Sequence, residues 1–89
     1  EQLGNMDHQN LAVLGTTANA AFVDEIIGEK IRFFVDENVS KMRQNFRGKN
    51  VVHPKDLNEN NHTLLPGGEL GIKLKKRFEL SYDGIFTVI

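Results

Sequence analysis

The sequence predicts a small α/β domain built on a parallel-rich sheet of five strands, flanked by helices. Three observations lead there. Short apolar runs stand at 11–14 and, interrupted only by Arg32, at 31–35, the pattern of strands buried on both faces, and His62-Thr63-Leu64-Leu65 reads as a further strand. Between the first two runs, Phe22 and Ile26 are four apart, as are Val23 and Ile27, which is helical spacing. Gly15, Gly28, Pro54 and Pro66-Gly67-Gly68 punctuate the ends of these segments.

Taken in order, residues 1–9 are polar and without period, a leader or linker ahead of a single domain at 10–89. Leu11-Ala12-Val13-Leu14 is strand 1, closed by Gly15. Thr16 or Thr17 can cap the helix that follows. Gly28 stands where a left-handed C-cap ends it. Residues 31–35 are strand 2, so strand, helix and strand form a right-handed βαβ unit with parallel strands. Residues 38–49 are polar and basic, with Met42 and Phe46 four apart, and read as a helical turn or a mobile loop. With few apolar anchors, 39–47 is expected among the least ordered parts. Residues 51–53 make an edge strand, stopped by Pro54, which opens a single helical turn. A turn at 58–61 leads to strand 4 at 62–65. Leu70, Leu74 and Phe78 form the apolar stripe of a second helix, with Lys73, Lys75, Lys76 and Arg77 on its wet faces. Asp83-Gly84 turns the chain into the last strand, 85–89. The implied strand order is 3-2-1-4-5, half of a doubly wound, Rossmann-like fold. Val13, Phe33, Val35, Leu64, Leu65 and Val88 are expected to be buried in the sheet. Phe22, Ile26, Leu74 and Phe78 are expected to pack onto it from the helices.

Composition narrows the function classes. A chain of 89 residues buries only roughly 60–65% of its unfolded surface, so its stability margin is thin. The net charge of −1 gives no general attraction to nucleic acid or to an acidic membrane. Without cysteine there are no disulfides, thiolate metal sites or thiol chemistry, which fits a cytoplasmic location. No apolar run reaches the roughly 20 residues of a membrane span. Asn38-Val39-Ser40 and Asn61-His62-Thr63 match the glycosylation triplet, a pattern common by chance. His8, His53 and His62 have no metal-ligand spacing, and no metal site is expected. The start at Glu1 and the apolar end Ile85-Phe86-Thr87-Val88-Ile89 suggest a domain excised from a larger protein.

Three segments carry a resemblance: Gly15-Thr16-Thr17-Ala18-Asn19-Ala20, Phe34-Val35-Asp36-Glu37-Asn38, and Gly48-Lys49-Asn50-Val51-Val52-His53-Pro54. Together they resemble the Rossmann-like C-terminal accessory domain of S-adenosylmethionine-dependent C-methyltransferases of sugar and natural-product pathways. Related small domains occur in sugar-modifying and polysaccharide-synthesis enzymes. The resemblance covers residues 11–57 and, more loosely, 64–89. It implies a non-catalytic domain that helps place a substrate for a transferase. Its partner would be the remainder of the parent protein, and S-adenosylmethionine would be held outside this domain.

The site expected from the residues themselves is a crevice outside the carboxyl ends of the strands. Gly15, Thr16 and Thr17 at one helix start, and Pro66, Gly67 and Gly68 at the other, could cradle an anion, phosphate or nucleotide-linked ligand. The plain alternative for the first is a turn with a threonine N-cap. Asp36 at the end of strand 2 could meet ribose hydroxyls, or it could cap the next turn or pair with Lys41 or Arg43. Thr17 stands where a second glycine would let backbone approach a pyrophosphate, which weighs against a dinucleotide enzyme half. The basic stretch Lys41, Arg43, Arg47 and Lys49 around Phe46 reads as a solvated loop rather than a nucleic-acid surface. Two classes of function remain: a substrate-placing accessory domain, and a stand-alone interaction module that docks by a sheet edge or by its second helix.

Overall fold

The computed structural model describes residues 11–15, 18–41 and 44–89. Strand β1, Leu11–Leu14, is the centre of the sheet, with Leu11 and Ala12 fully buried and Val13 nearly so. It pairs in parallel with β2, Phe33–Val35, placing Val13 opposite Phe34. On its other side it pairs in parallel with β5, His62–Leu65, placing Val13 opposite Leu64. Strand β4, Lys49–Val52, extends the sheet beyond β2, and β6, Ile85–Val88, extends it beyond β5, both in parallel. Helix α1, Ala18–Ile27, links β1 to β2, and α2, Gly68–Ser81, links β5 to β6.

The sheet departs from the five-stranded expectation. It has six strands in the order β3-β4-β2-β1-β5-β6, and β3, Asn45–Phe46, is antiparallel to β4. This edge strand arises where a helical turn or loop was expected. Within 38–49 the described residues form a single 3-10 turn, Val39–Lys41, and then the β3–β4 hairpin. Arg47 and Gly48 connect the hairpin with φ of 51° and 80°, the doubly left-handed geometry of a tight two-residue turn. The ring of Phe46 meets that of Phe34 edge-on at 4.9 Å, so β3 is anchored to the core. Met42 and Arg43 lie outside the described residues.

Alternation along the strands sorts the core into two clusters, one per face. Leu11, Val13, Phe34, Val51 and Leu64 point to the face covered by α1. Ala12, Val35, Leu65, Phe78 and Phe86 gather on the other face, under α2, with Leu57 from the loop after β4. That loop opens on Pro54, the first residue of a 3-10 turn whose N-cap is His53.

Several packing expectations are corrected. Helix α1 turns Ala20, Val23 and Ile27 to the sheet, leaving Phe22 63% and Ile26 62% exposed. A helix offers one stripe to a flat sheet, and the small Ala20 side chain allows α1 to lie close on that stripe. Leu70 is exposed because α2 instead turns Gly71, Leu74 and Phe78 inward. A Cβ at Gly71 would overlap the Pro66 carbonyl oxygen, so only glycine permits this approach. Phe33 and Val88 are half-buried, since β2 and β6 are covered incompletely on the α2 face. Gly28 does not adopt a left-handed cap. It begins a 3-10 turn, Gly28–Lys30, in which Ile31 N–H donates to the Gly28 carbonyl at 3.0 Å. Ile31 is buried, but β2 starts only at Phe33.

Candidate functional site

The chain leaves β1 at Gly15, whose φ of 100° is a left-handed value that suits glycine. Its N–H donates to the Val35 carbonyl at 2.6 Å, tying the exit of β1 to the end of β2. A Cβ at Gly15 would meet nothing within 4 Å among the described residues. Thr16 and Thr17 lie outside the described residues.

The chain leaves β5 at Pro66. Gly67 is the N-cap of α2, with no side chain to cap it, and Gly68 follows with φ of 75°. Because α1 and α2 cover opposite faces, β1 and β5 are neighbouring strands whose helices depart in opposite directions. This is where ligands settle in open α/β sheets. A groove of about 240 Å³ lies here, on the α1 face. Leu14, Leu64, Pro66 and Gly67 line it from the sheet side, Phe22 and Ile26 from α1, and Ile89 from the chain beyond β6. Its walls are almost wholly apolar side chains.

The structure thus brings together only part of the expected site. Pro66 and Gly67 line the groove, whereas Gly15 and Gly68 stand next to lining residues without lining it themselves. Asp36 is elsewhere. Its Oδ1 accepts from Asn38 N–H at 2.8 Å, and Asn38 Oδ1 accepts from Ser40 N–H and Oγ at 3.0 and 2.8 Å. This is the turn-capping alternative. Phe22, Ile26 and Ile89 were not expected at the site. The signal for them is in α1, where two apolar pairs, Phe22/Ile26 and Val23/Ile27, compete for one core-facing stripe. One pair had to be left over.

Two charged clusters flank the sheet. Asp24 on α1 receives Arg47 Nε at 2.6 Å and Lys49 Nζ at 2.5 Å, which staples the β3–β4 hairpin to the helix. Burial raises the Asp24 pKa, but the hydrogen bonds and charges of Lys49 and Arg47 outweigh it and hold the carboxyl below its ordinary value. On the opposite side, Arg77 forks onto Glu37 with two contacts of 2.7 Å, and Tyr82 Oη donates to Glu37 at 2.8 Å. The Arg77 hydrogen bonds, against some desolvation, lower the Glu37 pKa, and Tyr82 rises because its hydroxyl is held by Glu37. Both clusters join elements and neither faces the groove. His53 Nδ1 accepts from Lys55 N–H at 3.1 Å, which gives that ring a capping role. Among the described residues no group of three or more His, Cys, Asp or Glu side chains could hold a metal ion. None of the described helices is long and apolar enough to cross a membrane.

The fold and the groove define an α/β domain with an open mixed sheet and an apolar crevice where the connections reverse. No protein family, curated protein or solved structure matches the chain.

Proposed function

We propose that this chain is a Rossmann-like accessory domain that places a ligand or substrate for a transferase and performs no chemistry of its own. The observation that supports this reading is the groove at the carboxyl ends of β1 and β5. Apolar walls favour a ligand with an apolar face, such as a base ring or the flat side of a sugar, over a free phosphate. A nucleotide or nucleotide-linked sugar has such a face and carries its charge at one end, which would lie toward Gly15 and toward Gly68 at the start of α2. On the sequence resemblance, the parent activity is methyl transfer, with S-adenosylmethionine bound outside this domain. The test is amide shift perturbation with adenosine monophosphate, uridine diphosphate glucose and S-adenosylhomocysteine, each taken to millimolar concentration. The reading expects shifts at Val13 to Gly15, Leu65 to Gly67 and Ile89 with at least one of them. No response to any of the three would remove it.

A second reading, a protein-docking module, is favoured by one observation. Phe22, Ile26, Ile85 and Ile89 are all large apolar side chains left 46–63% exposed.

A further inference from the structure

We infer that the outer edge of β6 is an interaction surface for β6 of a second copy of this chain, paired antiparallel about a twofold axis at Thr87, and that Lys75 latches this edge.

The ladder of β6 fixes which backbone groups it leaves over. Ile85 N–H donates to the Asn61 carbonyl at 2.8 Å, and Ile89 N–H donates to the Leu65 carbonyl at 3.1 Å. Residues 85, 87 and 89 therefore turn their backbone groups toward β5, and Phe86 and Val88 turn theirs outward. No strand lies beyond β6 among the described residues. Lys75 Nζ donates to the outward Phe86 carbonyl at 2.7 Å. The Phe86 N–H and both Val88 groups have no hydrogen-bond partner among the described residues.

The two edges of the sheet differ. Strand β3 is only two residues long, and Arg47 beside it is tied to Asp24. Shortness and charge blunt such an edge. Residues 85–89 are Ile-Phe-Thr-Val-Ile, with no charge, proline or glycine to blunt theirs. The Lys75 side chain is what covers it.

This edge is complementary to itself. With the axis at Thr87, Phe86 of one copy lies opposite Val88 of the other, and each N–H meets the facing carbonyl. Phe86 and Val88 pack on the α2 face, so Ile85, Thr87 and Ile89 lie on the α1 face. There Thr87 meets its own counterpart, and Ile85 meets Ile89 of the second copy. Those isoleucines are 46% and 50% exposed in the single chain, and no other axis position sets one against the other. Ile89 also lines the groove, so the second copy places its Ile85 beside that wall. The contact is isologous and closes as a dimer. Forming it moves Lys75 off the Phe86 carbonyl, and Glu79, which already holds its Nζ at 3.0 Å, retains it. One strand edge is a small interface, so the association is weak and reversible. This inference does not rest on the ligand reading, and its test is run with no small molecule present.

The chain has no cysteine, so single cysteines report the register without background. Thr87→Cys, Ile85→Cys and Ile89→Cys are each oxidised mildly over rising protein concentration, and cross-linked dimer is read on a non-reducing gel. Unchanged circular dichroism verifies that each variant folds. Facing Cα atoms in a pair without hydrogen bonds are about 4.5 Å apart, within reach of a disulfide. Thr87→Cys should cross-link with itself. Ile85→Cys or Ile89→Cys alone is out of register by roughly 13 Å and should cross-link at least about tenfold less. A mixture of those two should cross-link as Thr87→Cys does. In sedimentation velocity, Lys75→Met frees the Phe86 carbonyl and should dimerise about tenfold more tightly than the wild type. No cross-link at Thr87→Cys up to millimolar concentration overturns the pairing. So does an Ile85→Cys chain that cross-links with itself as readily as Thr87→Cys. A Lys75→Met chain that dimerises no more tightly than the wild type overturns the latch.

Discussion

The two faces of the sheet are built differently. Under α2 the filling is aromatic: Phe78 meets Phe86 edge-on at 5.4 Å and Tyr82 at 5.1 Å, and Leu57 closes the side nearer β4. Under α1 the helix sits on the small Ala20, and a groove stays open between the helix and the β5–β6 end of the sheet. One helix per face does not cover strands spread this widely: the α2 face leaves Phe33 and Val88 half-buried, and the α1 face leaves an open groove. The α2 face is therefore filled with packed aromatic rings, whereas the α1 face has a buried core beside an open apolar groove.

The largest expected effect sets the faces directly against each other. Phe78→Ala empties a fully buried position and should cost about 3–5 kcal/mol, enough to unfold a domain of this size. Phe22→Ala on the other face should cost less than about 1 kcal/mol. Urea unfolding of the two variants measures both, and equal losses would break the contrast.

Next in size is Gly71→Ala, which forces the new methyl against the Pro66 carbonyl oxygen and should lift α2 from the end of β5. Overpacking against backbone should cost about 3 kcal/mol or more, read as a lowered midpoint in the same urea experiment.

The charged staples act at acid pH. Asp24 and Glu37 have pKa values lowered from 3.8 and 4.5 in the folded chain. At low pH the unfolded state therefore binds more protons than the folded one, and stability rises with pH. The contribution of both groups is present above their ordinary values and is lost as pH falls through their folded values. Asp24→Asn should cost about 1–2 kcal/mol at neutral pH and flatten the acid end of a stability profile. Glu37→Gln should do less, because that pair is more exposed.

The smallest effect concerns Thr63. It is fully buried on β5, and its Oγ1 has no hydrogen-bond partner among the described residues. Thr63→Val keeps the shape and removes the unpaired hydroxyl, so thermal unfolding should show a change from zero to about 1 kcal/mol in the stabilising direction.

Sequence reasoning reaches some of these features and not others, for physical reasons. Strand β1 was legible because a strand buried on both faces is continuously apolar, as 11–14 is, and β5 because Leu64-Leu65 runs into the stop at Pro66-Gly67-Gly68. Strand β3 was not, since two residues carry no period. Its only mark was Arg47-Gly48, a two-residue turn that becomes meaningful once β4 is known to begin at Lys49. In α1 the spacing showed two stripes, and which one meets the sheet depends on how closely Ala20 lets the helix approach, a tertiary fact. The turn at Pro66-Gly67 was legible as a helix start beside the crevice. The apolar character of that crevice was not, because it comes from Phe22, Ile26 and Ile89, drawn from distant parts of the chain.

The contrast between the faces is tested most directly by broadening of methyl resonances with a neutral, soluble nitroxide. The account predicts strong broadening of Ile26, Ile85 and Ile89, and little of Leu57 and Leu65. Equal protection of both groups, or stronger broadening of Leu57 and Leu65, would contradict an open α1 face and a closed α2 face.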